Sequence, residues 1–496
     1  MSGLTAAVDA GTSLIKAVVL DEEGRELAIA SRPTRVLTRA GGRSEQDMSE
    51  VLEAVLECLR EAARLAPGRI ERIAVTAQGD GAWLVDGAGD PLGRAALWND
   101  GRSDEVVEGW SADGTLERAF RINGSLGNLG LPNAILAWTR RHDPGALEGA
   151  TAVLTCGSWL YLALTGVCGL HPSEASAPWL DMHTGGISEE LVELYGLAWA
   201  RDLIPPVLDA HELTAPLRAE PAEVGGLDPG IPVTLAAYDV VATATGSGAV
   251  AVGDAFCILG TTLCTGVRVS TPATSGVPSG LTLLGLPGQA PVRAFPTLAG
   301  TGVIDWAVAL LGLGGARELT ELAATVPVGA GGVRLWPYLS PAGERAPFLD
   351  PAARGVIAGL SFETGAAEIA RAAIEGLAHV IRDCLDTAGP RPASLSLSGG
   401  GAASELWCRT IADVTGVPVV RGDGAQLGAR GALVAALVAD GSAPDEASAL
   451  ARIATERVVF DPDPPAAALL EARHADFLAT RDALAPRWAH WRAATR

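Results

Sequence analysis

The sequence predicts an α/β protein built as two similar lobes, and three observations lead there. Stretches with strand and helix periodicity alternate along the chain. A Gly-Thr pair at Gly11-Thr12 recurs as Gly260-Thr261, 249 positions later and half a chain away. At 496 residues the chain also exceeds the size at which one hydrophobic core keeps growing, so two large domains are expected.

Residues 4–31 read as a hairpin. Thr5 to Val8 leads into Asp9-Ala10-Gly11-Thr12-Ser13, Ile15 to Leu20 is rich in strand formers, Asp21-Glu22-Glu23-Gly24 turns the chain, and Leu27 to Ala30 closes it. Ser49 then opens an amphipathic helix with Val51, Leu52, Val55, Leu56 and Leu59 on one face. Ile73 to Thr76 is a strand that ends in the polar turn Gln78-Gly79-Asp80-Gly81. The second half repeats this layout. Pro232 to Ala237 is a strand ending at Tyr238-Asp239, a helix runs from Val240 to Val250, and a hairpin begins near Phe256 with the turn Gly260-Thr261-Thr262. Breakers at Gly225-Gly226 and Asp228-Pro229-Gly230 place a boundary there, giving lobes 1–230 and 231–496. Leu395 to Ser398 is a strand running into Gly399-Gly400-Gly401-Ala402-Ala403-Ser404, a glycine turn and a helix start.

A hydrophobic share of 48% supports extensive buried cores. The net charge of −21 disfavours nucleic acid and anionic membrane surfaces as partners, yet a nucleotide remains compatible, because backbone donors and a metal ion act locally. Seven cysteines without a CxxC pair read as buried reduced thiols, which points to the cytoplasm. The N-terminus has no leader pattern, and no run of about 20 apolar residues suggests a membrane span. Trp488 and Trp491 with their neighbouring arginines leave two alternatives for the C-terminal segment, a surface-packing helix or a homodimer contact.

Phosphate chemistry is written in the turns. A Gly-Thr turn between strands presents backbone N–H groups and hydroxyls to phosphate oxygens, and glycine lets the phosphate approach closely. Asp9 at the strand end suits Mg²⁺ held through water, since that ion dehydrates reluctantly. An ordinary hairpin explains one such turn equally well; the second copy at Gly260-Thr261-Thr262 favours function. Asp239 ends a strand and faces the crevice where ligands bind in such sheets, so it is a candidate base for a hydroxyl attacking a phosphoryl group. A helix N-cap is the equal alternative. Three successive glycines at 399–401 permit close approach of a ring or phosphate, where a simple turn needs one. Lys16 is the chain's single lysine among 37 basic residues; a GC-rich coding bias explains the 36 arginines but not this exception, which reads as a compact amine where a guanidinium would not fit.

With these pieces placed, the chain resembles the FGGY carbohydrate kinase family from about residue 4 to about residue 445. The resemblance implies two actin-like, ribonuclease H-like lobes of the sugar kinase, Hsp70 and actin superfamily, with the active site in the cleft between them. It implies ATP and Mg²⁺, with Gly11, Thr12, Ser13 and Lys16 as the first phosphate motif, Gly260, Thr261 and Thr262 as the second, Gly399, Gly400, Gly401, Ala402 and Ser404 at the adenosine, Asp9 at the metal and Asp239 as catalytic base. Gly355-Val356-Ile357-Ala358-Gly359-Leu360 followed by Glu368-Ile369 and Ala372-Ala373-Ile374-Glu375 is similar to the family's C-terminal signature. Substrate contacts are implied at Gln78, Asp80, Trp98, Asp100, Arg102, Tyr238 and Asp239. The chain departs from the family at Ile135, where a lysine is usual, at Val240, where Asn or Gln is common, and at Asp80, where xylulose kinases carry His. The runs Gln78-Gly79-Asp80-Gly81 and Asp239-Val240-Val241 look closer to erythritol and L-xylulose kinases, with xylulose or glycerol kinase specificity as alternatives. A noncatalytic ATP-binding sensor on the same fold is the rival from another class.

Overall fold

The run Leu4–Ala10 forms the first strand, β1, and is buried at every position except Asp9, which is half-buried. A strand so covered reads as almost continuously apolar. In the computed structural model, which describes residues 3–422, 426–453 and 457–495, β1 pairs antiparallel with β2 (Leu14–Leu20), and β2 with β3 (Glu26–Pro33). Helix α1 (Met48–Leu65) buries Val51, Val55, Leu56 and Leu59, as its periodicity predicts. Its cap is Asp47, whose carboxylate accepts from the Ser49 and Glu50 N–H groups, so Ser49 lies inside the first turn and does not open the helix.

Strand β4 (Ile70–Ala77) lies parallel to β1, and after β5 (Thr214–Pro216), β6 (Pro232–Leu235) lies parallel to β4. The sheet order is β5-β6-β4-β1-β2-β3. Helix α2 (Asp239–Gly246) follows.

A second sheet then begins with β7 (Ala255–Leu259), β8 (Leu263–Arg268) and β9 (Val292–Pro296), followed by helices α3 (Thr301–Leu311) and α4 (Ala366–Ala388). Strand β10 (Leu395–Ser398), helix α5 (Glu405–Thr415) and strand β11 (Val419–Gly422) come next. The chain returns to the first unit as α6 (Leu427–Ala439), and β12 (Arg457–Phe460) and α7 (Pro464–Thr495) complete the second. Order β3-β2-β1-β4-β6 in one sheet matches β9-β8-β7-β10-β11 in the other, with β1, β4 and β6 parallel and β7, β10 and β11 parallel. The repeated Gly-Thr turns therefore follow equivalent strands, β1 and β7, and the loops at Gln78 and Gly399 follow equivalent strands, β4 and β10.

Of the described residues, 3–250, 270–292 and 426–453 form one compact unit, and 251–269, 293–422 and 457–495 form the other. This corrects the boundary at 230/231. Strand β6 hydrogen-bonds into the first sheet, and α2 packs on α6 so closely that a Cβ at Gly431 would stand 1.9 Å from the Ala242 carbonyl oxygen. Asp239 thus belongs to the first unit. Trp488 is fully buried against Tyr338 and Phe348 in the second unit's core, which removes it from any outer face. All seven cysteines are free thiols and six are buried; Cys168 is exposed, contrary to expectation. Among the described residues no helix is long and apolar enough to cross a membrane.

Candidate active site

In the first unit, the carboxyl ends of β1, β4 and β6 are stitched side by side. The Gln78 N–H donates to the Ala10 carbonyl at 3.0 Å, and the Thr76 hydroxyl donates to the Ala237 carbonyl at 2.7 Å. Two half-buried acids sit at these ends, Asp9 on β1 and Asp239 after β6. Asp239 is the first residue of α2, behind Tyr238 at the N-cap position, and its carboxylate accepts from the adjacent Val240 N–H at 2.7 Å. Burial pushes its carboxyl up to about 7, the neighbouring charges of Asp9 and Asp80 add to the rise, and the Val240 N–H opposes it. Asp9 is also raised by burial, with its cross-strand partner Lys16 pulling the other way.

The returning helix α6 completes the surroundings of Asp9. A Cβ at Gly428, in the first turn of α6, would stand 2.8 Å from an Asp9 carboxylate oxygen, so glycine there makes room for the acid at a helix N-terminus, where negative charge is favoured. Gln426, the residue before α6, accepts from the Lys16 ammonium at 3.0 Å. Neither Gln426 nor Gly428 is singled out by the sequence. The signal that marks them is the spacing of Gly428 and Gly431 in an alanine-rich helix, where glycine permits backbone contact.

Around these acids the polar loops form one network. The Thr12 hydroxyl donates to Gln78 Oε1 at 2.8 Å and accepts from the Trp98 indole at 2.9 Å; Gln78 Nε2 donates to Gln46 Oε1 at 2.7 Å, and Gln46 Nε2 returns to the Thr12 carbonyl at 2.8 Å. Thr12, expected at phosphate, is therefore tied by its hydroxyl to Gln78 and Trp98, while Ser13 is exposed beside it. Gln46 is a further residue that sequence reasoning missed. The loop Gln78–Gly81 lies on Tyr238, since a Cβ at Gly79 would enter the tyrosine ring at 2.4 Å, and Asp80 holds a left-handed φ of 55°. The Gly81 N–H donates to the Gly130 carbonyl at 2.8 Å, and a Cβ at Gly130 would overlap the Trp98 carbonyl at 1.6 Å. Gly130 is thus required by the loop that carries Trp98.

Asp100 and Arg102, expected as substrate contacts, brace that loop. Asp100 is sealed from solvent and accepts from the Ser44 N–H and the Arg102 N–H, and both of its oxygens take guanidinium N–H groups of Arg102 at 2.8 Å. Arg102 reaches on to Glu45 at 2.7 Å.

In the second unit, the Gly-Thr turn after β7 and the glycine run after β10 line one cavity of about 750 Å³, within the range of small-molecule sites. Gly260, Thr261, Gly400, Gly401 and Ser404 all face it, with Thr301, Asp305 and Trp407. The three glycines have different reasons. Gly399 has a φ of 82° and lies against the Leu259 carbonyl, where a Cβ would be at 2.6 Å, and a Cβ at Gly401 would meet the Trp407 ring at 2.6 Å. A Cβ at Gly400 meets nothing within 4 Å. Ser404 caps α5 by accepting from the Trp407 N–H. Ala402 is buried beneath, its carbonyl taken by Arg421 at 3.2 Å, and Thr262 is half-buried with its Cα against Gly300; neither lines the cavity.

Comparison with known proteins places this geometry. The N-terminal domain of the FGGY family of carbohydrate kinases matches residues 4–246 and the C-terminal domain matches residues 255–439. An erythritol kinase of Brucella abortus (strain 2308) is 32% identical over 503 residues, covering 97% of this chain and 96% of that protein. A xylulose kinase of Klebsiella pneumoniae is 31% identical over 457 residues, covering 89% and 90%. The crystal structure of a gluconate kinase from Lactobacillus acidophilus superposes with a TM-score of 0.91 over 99% of this chain and 100% of that one at 22% identity, a likeness of fold.

Proposed function

Since the chain belongs to the FGGY family of carbohydrate kinases and is an enzyme of that class, we propose that it transfers the γ-phosphoryl group of ATP to a hydroxyl of erythritol, L-xylulose or a similar tetritol or pentulose, with Asp239 as general base. Asp239 carries this reading: a half-buried carboxylate at a parallel strand's carboxyl end, pushed up to about 7, beside the loop of Gln78 and Asp80. An alcohol gives up its proton only as its oxygen bonds to phosphorus, so the base acts during transfer. A carboxylate raised towards neutrality takes that proton more readily than an ordinary one and is still ionised above pH 7. The proton goes to Asp239, the bond between the γ-phosphorus and the bridging oxygen breaks in line, and ADP leaves.

The cavity after β7 and β10 suits the nucleotide. Gly400 offers unobstructed backbone, Gly260, Thr261, Gly401 and Ser404 line the same cavity, and Gly399, Ala402 and Thr262 stand behind that lining. Gly11, Thr12, Ser13 and Lys16 serve the phosphoryl end on the acceptor side. Transfer requires the acceptor oxygen in line with the γ-phosphorus and water kept out of that line.

Mg²⁺ fits the first-unit acids. Asp9 and Asp80 both oppose the ionisation of Asp239, and Lys16 is already hydrogen-bonded to Gln426. Asp9 would anchor the ion, with water and phosphate oxygens supplying its other ligands. When bound, the ion neutralises charge on the phosphoryl oxygens. ATP as donor and reduced thiols support a cytoplasmic enzyme.

For the acceptor, the erythritol kinase relative spans nearly the whole chain, and the Asp80 carboxylate accepts hydrogen bonds from vicinal hydroxyls. Screening ADP release with tetritols, pentitols, pentuloses, hexuloses and glycerol tests the reading. A kcat/KM maximum at a tetritol or L-pentulose supports it; a maximum at D-xylulose or glycerol replaces the acceptor, and no turnover with any of them removes the proposal.

A further inference from the structure

Glu344 is buried, with 1% of its surface exposed, yet it lies on no strand that carries the acceptor chemistry. Its Oε1 accepts from the Leu298 N–H at 2.6 Å and from the Arg345 N–H at 2.9 Å, and its Oε2 accepts from the Ala299 N–H at 3.3 Å. The next residue adds a second clamp, with Arg345 Nε donating to the Pro296 carbonyl at 2.8 Å. Paired hydrogen bonds between Glu344 and Asp350 brace the backbone behind the carboxylate. Two consecutive side chains thus hold the segment Pro296 to Ala299.

That segment leads directly into the cushion of the phosphate turn. The Ala299 carbonyl accepts from the Leu263 N–H at 3.0 Å, just after the turn Gly260-Thr261-Thr262. Gly300 lies flat against the turn, since a Cβ there would be 2.4 Å from the Thr261 carbonyl oxygen and 2.5 Å from the Thr262 Cα. The first N–H groups of α3 then bond the turn's carbonyls, Thr301 to Gly260 at 2.8 Å and Gly302 to Thr261 at 3.2 Å. Burial pushes the Glu344 carboxyl up to about 7, and the Leu298, Arg345 and Ala299 N–H groups and the Arg345 charge oppose that rise, so its ionised form is favoured by the same backbone donors that it holds in place.

We propose that Glu344 is a positioning residue for nucleotide binding, which fixes Leu298–Ala299 and through them the Gly260–Thr262 turn against the cavity. This rests on the reading that the cavity takes ATP. A glutamine cannot replace the carboxylate, because its amide nitrogen has no lone pair to offer and would face an N–H.

The test compares two variants by ATP titration and steady-state kinetics. Glu344→Gln is expected to raise the KM and Kd for ATP about tenfold, the loss of charge-assisted hydrogen bonds, while kcat at saturating ATP and the acceptor KM stay within about twofold. Gly400→Val, whose side chain enters open cavity, tests the site itself. If Gly400→Val weakens ATP and a folded Glu344→Gln does not, or if Glu344→Gln lowers kcat and acceptor binding along with ATP binding, the role of Glu344 is overturned while the cavity stands. If Gly400→Val leaves ATP affinity unchanged, the cavity reading fails and takes this inference with it. Should Glu344→Gln not fold, Arg345→Met, which removes the clamp on Pro296 and a positive charge that favours the Glu344 carboxylate, is expected to raise the ATP KM selectively by a smaller factor, and an unchanged KM counts against the proposal.

Discussion

Asp9 and Asp239 stand at the carboxyl ends of two strands of one parallel trio, and the charge of the first helps to hold the second protonated up to about pH 7. The Asp239 carboxyl therefore reports on Asp9, and on the nearby Asp80.

The first consequence is a pH profile. A base must be ionised, so kcat is expected to fall as pH drops through about 7, approaching tenfold per unit below it. Asp80→Asn removes one charge that raises Asp239, so its acid limb is expected at lower pH than the wild type's. A limb that stays in place in Asp80→Asn, measured with saturating acceptor, separates Asp80 from Asp239.

Stability is expected to move against activity. In the unfolded chain residue 239 is an ordinary aspartate that ionises near 3.8, whereas in the fold it keeps its proton to about 7. Between those values the folded state binds the extra proton, so this group's contribution to stability falls as pH rises and is at its worst above 7. Asp239→Asn removes that cost, and a gain on the order of 1–3 kcal/mol at pH 8 is expected, shrinking towards pH 4. Denaturant melts at both pH values check the sign.

Gly428→Ala is expected to fold but to work poorly. The added methyl would press on the Asp9 carboxylate at 2.8 Å and displace it from the α6 N-terminus. A loss of about tenfold or more in kcat/KM at limiting Mg²⁺, partly recovered at high Mg²⁺, is the outcome in which Asp9 anchors the ion. Equal losses at all Mg²⁺ concentrations point to general damage.

Asp100→Ala is expected to destabilise and not merely to weaken acceptor binding. It would strip the guanidinium of Arg102 of its bidentate partner in a largely buried setting, a loss of roughly 3 kcal/mol. Thermal unfolding several degrees below wild type supports the brace; unchanged stability with a raised acceptor KM returns Asp100 to the substrate.

Much of this was legible in the residues. The two Gly-Thr turns, the acids Asp9 and Asp239 at strand ends and the glycine run at 399–401 are local patterns, and local chemistry explains them. What escaped was set by distant packing. Lys16 meets Gln426 across 410 positions, and Gly428 reaches Asp9 only because α6 returns to the first unit. Asp100 and Arg102 share a loop with Trp98 and looked equally functional, but composition does not reveal that they satisfy each other. Likewise a glycine triplet does not say which member faces open space; the neighbours Leu259 and Trp407 decide that.

Asp239→Asn, assayed for both ATP affinity and acceptor phosphorylation, tests the central claim most directly. The expected result is an ATP Kd within about threefold of wild type and a kcat lowered by a factor on the order of 10² to 10⁴. Phosphorylation at a near-normal rate by the folded variant would contradict it.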